Sequence, residues 1–495
     1  MGRWAQAVRP ASYRPLRRGG AVAHAAVPIR GAPYDPWMLE ASAHRHLKAL
    51  LRSEGQQRWP HHLTLSRLVA RSLRRSDHTV VRLAPGTDPS WAISLLVPLA
   101  LSDVPLALVV SDALRQRLLR LEWPRLQAAG LPLPCWQGPE APPTAHLWLL
   151  SHRELLTAWR AGQLGERQLV IPEAERLERE LREAMALQIN PADWDGLIRS
   201  QPALEESLLT LHQRLSGRIL RHPRRPQEAV PLAPEDEAPL RHLLRLLEPL
   251  PGPWASWLAA GGDGWCGWAA REPDGLQWSL HRQPLEPLTE LAGLLKGRGA
   301  VLVGELARGR TGGGAGEGLS SQGLGLTPTV QLELSDPPLT DPLPLYVPLR
   351  QPLPNSPHFG EHLLVQGRRL VLGQAGFSVI LLDDDALRLH LTSGLAAEFG
   401  SRVVHQSTAP ESNGVVSASW SWWLAHQQRL PLPAQVIVGL LPLATLEDPL
   451  TAAQVHQLRQ QGRDWFRERL LPDGLTQLQL GVAGLRRSEI GRAHV

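Results

Sequence analysis

Apolar and polar positions alternate with two different periods along this chain. Between residues 59 and 75, Leu63, Leu65, Leu68, Val69 and Leu73 are spaced for one face of a helix. Val80 to Leu83 is a short apolar run and reads as a strand. A turn of Ala84-Pro85-Gly86-Thr87-Asp88-Pro89 follows, and a helix is expected from Ser90. The stretch Trp91 to Val110 is the most apolar in the chain. Pro98, Asp103 and Pro105 interrupt it, so it reads as a buried helix and then a buried strand, not as a membrane span. A helix over 112–120 and strands at His146–Leu150 and Gln168–Ile171 continue the alternation. Strands alternating with helices imply a parallel sheet covered on both faces.

From residue 173 to 250 the text turns charged and Leu-rich, and helices are expected at Glu173–Leu187, Leu204–Leu220 and Ala238–Leu247. Residues 254–282 carry Trp254, Trp257, Trp265, Trp268 and Trp278 among glycines, the pattern of a small β-region with packed tryptophans. A second α/β pattern starts at Ala300–Val303 and includes strands at Phe377–Leu382, Arg402–His405, Gly414–Ala418 and Gln435–Leu440. Helices are expected at about 385–398 and 451–470. The glycine cluster 312–316 lacks the Lys-Ser/Thr ending of a phosphate loop and reads as a surface loop. The expected architecture is α/β: two parallel-sheet lobes, at 38–172 and 296–489, with a mostly helical insert at 173–295 between them.

Composition narrows the classes. With 495 residues, 43% hydrophobic and 20% charged, the chain has the makeup of a multi-domain globular protein. Two cysteines, Cys135 and Cys266, exclude a disulfide scaffold and any four-cysteine metal or iron–sulfur site within one chain. Only Lys48 and Lys296 are lysines, so 50 of the 52 basic residues are arginine. The net charge of +5 permits nucleic-acid binding without demanding it. Residues 1–37 read as a flexible leader, or as text upstream of a start at Met38. Residues 490–495 read as an adapter-derived tail, the translation of a sequencing oligonucleotide.

The order of local motifs resembles that of the DinG/XPD-like superfamily 2 DNA helicases, over roughly residues 59–489. Ala84-Pro85-Gly86-Thr87-Asp88-Pro89-Ser90 and the helix after it resemble the family's phosphate loop and its following helix. The loop is one residue short, Pro89 falls on the lysine, and Asp88 replaces a glycine. Leu108 to Leu118 and Leu149-Leu150-Ser151-His152-Arg153-Glu154-Leu155-Leu156 resemble the next two motifs. Leu169-Val170-Ile171-Pro172-Glu173-Ala174-Glu175 resembles the metal-binding and general-base motif, with Pro172 in place of its aspartate. Ala300 to Leu306 stands where a Ser-Ala-Thr motif is expected. The segment 430–450, ending in Glu447-Asp448-Pro449-Leu450, is the most specific match. Leu480 to Ser488 resembles the final arginine motif, with Gly484 and Arg487 on its two arginine positions.

The resemblance implies that the two lobes are RecA-like, with ATP and Mg²⁺ between them, Glu173 and Arg487 on catalytic positions and Gly86, Thr87 and Ser90 on the phosphate loop. It also implies single-stranded DNA or RNA across the lobes, for which Arg115, Arg117, His152, Trp420, Trp422 and Trp423 are the candidates. Simultaneous damage to several ATP motifs implies weak or absent hydrolysis, since a phosphate loop needs N–H donors and its lysine. No iron–sulfur cluster, no metal site built by the protein alone and no membrane contact are expected. A cytoplasmic role in DNA repair or replication, with protein partners from those processes, completes the expectation. An active helicase and a non-catalytic interaction scaffold are the alternatives.

Overall fold

The computed structural model describes residues 38–55, 59–223, 229–247, 249–262, 264–272, 277–305, 328–334, 344–483 and 485. Met38 opens the helix Met38–Ser53, and the unit from Leu39 onward holds everything described below.

The first lobe is built on seven strands: β1 (His78–Leu83), β2 (Leu106–Val109), β3 (Cys135–Trp136), β4 (Leu147–Leu150), β5 (Gln168–Ile171), and two later ones. Three further strands form a separate sheet with one more: β6 (Leu187–Ile189), β7 (Val230–Pro231), β8 (Trp265–Arg271) and β9 (Trp278–Pro284). The chain then returns to the first sheet with β10 (Ala300–Glu305) and β11 (Val330–Leu334). The order is β11-β1-β10-β5-β2-β4-β3, every pair parallel. Central strands β2, β4 and β5 are buried at every position, which explains their unbroken apolar runs.

Residues 300–305, expected in the second lobe, are thus a central strand of the first. Ala300 to Glu305 pairs residue for residue with His78 to Leu83, so its apolar run is buried by β1 and β5. The insert is shorter than expected for a similar reason. The helix Leu177–Met185 places Leu177, Leu181 and Met185 in the first lobe's core, where Leu291, Leu294 and Leu295 of Leu288–Leu295 join them. The insert proper has its own core, from Ile189 to Leu280, with Trp194, Trp254, Trp257 and Trp278 buried in it. Its antiparallel sheet runs β6-β9-β8-β7, flanked by the helices Pro191–Ser200, Glu205–Leu220, Pro234–Leu246 and Gly252–Ala259. Trp254 and Trp257 therefore lie on a helix rather than in the β-region.

The second lobe carries β12 (Ser378–Leu381), β13 (Val403–His405), β14 (Val415–Ala418) and β15 (Gln435–Val438) in the parallel order β13-β14-β12-β15. The helices Phe359–Leu372 and Asp385–Phe399 cover one face of this sheet. On the other, Trp420 and Trp423 of Trp420–His426 pack with Leu478 of Leu471–Gly481. Two parallel α/β lobes with an inserted helical unit is the expected class. No helix among the described residues is long and apolar enough to cross a membrane.

Candidate functional site

In an open parallel sheet, ligands bind beyond the carboxyl ends of the strands. Here four adjacent strands end at one place. Gly86 follows β1, Glu305 ends β10, Glu173 and Glu175 follow β5, and Ser111 follows β2.

The loop after β1 is tightened from within. Thr87 is buried, and both its amide and its Oγ1 donate to the Ala84 carbonyl, at 3.1 and 2.6 Å. The Asp88 carboxylate accepts from the Ser90 amide at 2.8 Å and caps the short turn Pro89–Trp91. The Ser90 Oγ is buried without a hydrogen-bond partner. Gly86 has φ +84°, and its amide donates to Glu305 Oε2 at 2.9 Å. A carboxylate of the chain thus occupies the N–H that a phosphate would need. This glycine allows no side chain, because an ideal Cβ would lie 2.8 Å from the Ala483 Cβ and 2.9 Å from its carbonyl oxygen.

Beyond β5, Glu173 adopts φ +58°, a left-handed backbone that a glutamate rarely takes. Its Oε2 accepts from the Ser111 hydroxyl at 2.5 Å, and the Arg176 guanidinium stands 3.7 Å from its Oε1. The Glu175 carboxylate accepts from the Glu305 amide at 3.0 Å. Burial, then the charges of Glu305 and Glu173, push the Glu175 carboxyl up to about 8. Three acids therefore converge on the seat. Mg²⁺ and ATP do not fit these residues: Pro89 supplies neither an N–H nor a cation, Pro172 supplies no carboxylate, and Glu305 holds the Gly86 amide. Among the described residues, no group of three or more His, Cys, Asp or Glu is arranged to hold a metal. Arg487 and Gly484 lie outside the described residues.

The nucleic-acid candidates separate into two kinds. Trp420 and Trp423 are fully buried, and their indole N–H groups donate to the carbonyls of Leu440 at 2.9 Å and Gly481 at 2.8 Å. Stacking on a base needs an exposed ring, so both are core residues, contrary to expectation. His152 is buried too; burial lowers its pKa, and its Nδ1 lies 3.9 Å from Glu180. Arg115 donates to Glu154 at 2.8 Å and Arg117 to Glu122 at 3.4 Å, so both have internal carboxylate partners.

Trp422 is half-buried and stacks on His426, with centroids 4.5 Å apart and planes 19° from parallel. Arg429, one helical turn further on, is exposed. These three form a run of two rings and a cation on one side of the helix Trp420–His426 and its continuation. Sequence reasoning missed His426 and Arg429, although their spacing of four and seven from Trp422 is a helical signal. It also missed Glu305, whose role depends on β10 being in the first lobe.

No family model matches the chain. It is 27% identical over 244 residues to the ATP-dependent DNA helicase YoaA of Haemophilus influenzae, covering 47% of this chain and 37% of that relative. The chain thus spans little more than a third of that relative's length. Among solved structures, an XPD helicase overlaps 91% of this chain and 92% of its own at 11% identity and a TM-score of 0.47. Mycobacterium smegmatis Lhr, solved with ssDNA and AMP-PNP, overlaps 86% of this chain and 51% of its own at 13% identity and a TM-score of 0.35. Over about half of its length, then, the chain is similar in sequence to a protein named a DNA helicase.

Proposed function

We propose that this chain is a degenerate DinG/XPD-like protein that binds single-stranded nucleic acid and hydrolyses ATP weakly or not at all. The reading places it in the cytoplasm, in DNA repair or replication. One observation carries the nucleotide half: the Gly86 amide is bonded to Glu305 in a loop that has Pro89 where the lysine would stand. The relative YoaA, named a DNA helicase, supports the nucleic-acid half. Trp422, His426 and Arg429 offer the stacking and phosphate contacts such a ligand uses.

Fluorescence anisotropy with a labelled oligo-dT and oligo-rU, at two salt concentrations, tests the reading. Binding that weakens steeply with salt is expected, because phosphate contacts release counterions. Strand-stimulated ATP hydrolysis that is lost on Glu173→Gln defeats it in favour of an active helicase.

A specific feature favours a second reading, that of an interaction scaffold. In the segment 344–354, Leu345, Leu349 and Leu353 are 86%, 90% and 70% exposed between prolines. Proline-rich extended segments of this kind dock in aromatic-lined grooves. Absence of any salt-dependent oligonucleotide binding, together with retention of a protein partner that requires Leu345 and Leu349, selects this reading.

A further inference from the structure

We infer that the seat between the lobes, where two-lobed motors hold a nucleotide, is in this chain a closed structural joint, with the Glu305 carboxylate as its built-in anion. The joint presupposes the reading that nucleotide is not turned over, but is independent of nucleic-acid binding.

The first support is the bond itself. The Gly86 N–H donates to Glu305 at 2.9 Å, and the Glu305 amide in turn donates to Glu175 at 3.0 Å. A phosphate entering here has to displace a carboxylate from its donor and then sit beside Glu305, Glu173 and Glu175. The displaced Glu305 carboxylate, left beside the phosphate, repels it.

The second support is steric. Ala483, just beyond the helix Leu471–Gly481 of the second lobe, rests on the backbone of Gly86. A methyl group on Gly86 would overlap both the Cβ and the carbonyl oxygen of Ala483. The second lobe thus touches the first where a triphosphate would have to pass between them.

A separate contact closes the same joint at another point. Arg469 of the second lobe donates to Glu178 at 2.9 Å, and Glu178 lies on Leu177–Met185, a helix of the first lobe's core. Glu178 also takes a 2.5 Å bond from Arg182, and Arg469 reaches Asp473 at 3.0 Å. The insert joins in: Cys266 Sγ donates to the Pro449 carbonyl at 3.3 Å, and Gln457 Nε2 donates to Glu286 at 3.1 Å. Motor lobes separate and reclose with each ligand. Separation here would break a partly buried ion pair with one partner on each lobe, which opposes it.

The test is a distance measured on the full chain. Spin labels go on Gln137→Cys in the first lobe and Ser401→Cys in the second, both exposed sites, in a Cys135→Ser background. Cys266 is buried, and its thiol is pushed up to about 12, so it stays unlabelled. Pulsed electron resonance is expected to give one narrow distance, unchanged by saturating Mg–ATP. Gly86→Val and Arg469→Met are each expected to lengthen and broaden it, with circular dichroism confirming that the fold persists. A native distance that Mg–ATP shifts, or one that neither variant moves, overturns the joint. Hydrogen exchange needs no variant: slow exchange of the Gly86 amide is expected, and fast exchange also overturns it. Absence of oligonucleotide binding, with a distance that Mg–ATP leaves unmoved and the variants lengthen, refutes the functional reading alone.

Discussion

The amide of Glu305 donates to the carboxylate of Glu175 at 3.0 Å, so the end of β10 is tied to the segment after β5 by a buried acid. Glu175 faces Glu305 across this bond, Glu173 on its own segment and the Arg176 guanidinium, which is 4.0 Å away. With its carboxyl pushed up to about 8, Glu175 holds its proton at neutral pH. The folded chain therefore keeps a proton that the unfolded chain releases at the usual 4.5.

The sign of the pH effect follows. Protonation favours the folded state, so the Glu175 contribution is complete below pH 4.5 and is lost as pH rises toward 8. The slope between those limits is at most about 1.4 kcal/mol per pH unit. Glu175→Gln keeps an acceptor for the Glu305 amide and removes the titration. Urea unfolding at several pH values is expected to show the native chain losing stability relative to this variant from pH 5 to 8. Parallel curves contradict the assignment.

The two tryptophans at 420 and 422 are expected to part company on substitution. Trp420→Ala removes a fully buried ring and leaves the Leu440 carbonyl without its donor. A loss of about 3–5 kcal/mol is expected in chemical unfolding. Trp422→Ala removes a half-buried ring stacked on His426 and should cost only about 1 kcal/mol. It should weaken oligonucleotide binding by about 1–3 kcal/mol. Equal stability losses, or unchanged binding, refute the division.

These cases show what could be read from the chain before its fold. The short strands were legible because a strand covered on both faces must be apolar at every position, as Gln168–Ile171 shows by matching its expected limits. Helix boundaries near prolines were also close, as at Glu205–Leu220. Membership of a sheet was not legible. Ala300–Glu305 has the same apolar run whichever sheet it enters, and only its register against His78–Leu83 places it. The strand β6 was likewise absorbed into helix or left open, because Leu187–Ile189 is too short to carry a period. At the site, the loss of lysine at Pro89 was visible, but Glu305 was not, since its partner lies 219 positions away.

Arg282 should anchor the insert as a separate folding element. It is 1% exposed, lies 4.2 Å from the Trp257 ring centre and donates to the Trp257 carbonyl at 2.6 Å, with Glu237 as its ion partner. Arg282→Met fills similar space but strands Glu237 and two carbonyls. A loss of about 3 kcal/mol is expected, at the low end because Glu237 keeps Arg241 nearby at 3.9 Å. Limited proteolysis should then cut first between residues 187 and 284. First cleavage in either lobe would contradict the insert's having a core of its own.

His62 sets the acid limit from the opposite side. It is buried against Trp59, and its Nδ1 lies 2.6 Å from Ser94 Oγ. Burial lowers its pKa to about 4, a shift that Arg125 reinforces and that Asp88 and Glu54 oppose. A histidine with a lowered pKa stabilises the fold above its unfolded value of 6.5, and this contribution is lost as pH falls from 6.5 toward 4. The direction is the reverse of Glu175, so the two contributions cancel in slope between about pH 4.5 and 6.5. His62→Gln removes the titration and keeps a polar group near Ser94. Its stability relative to the native chain is expected to improve as pH drops from 6.5 to 4.5, and a constant difference over that range refutes the assignment.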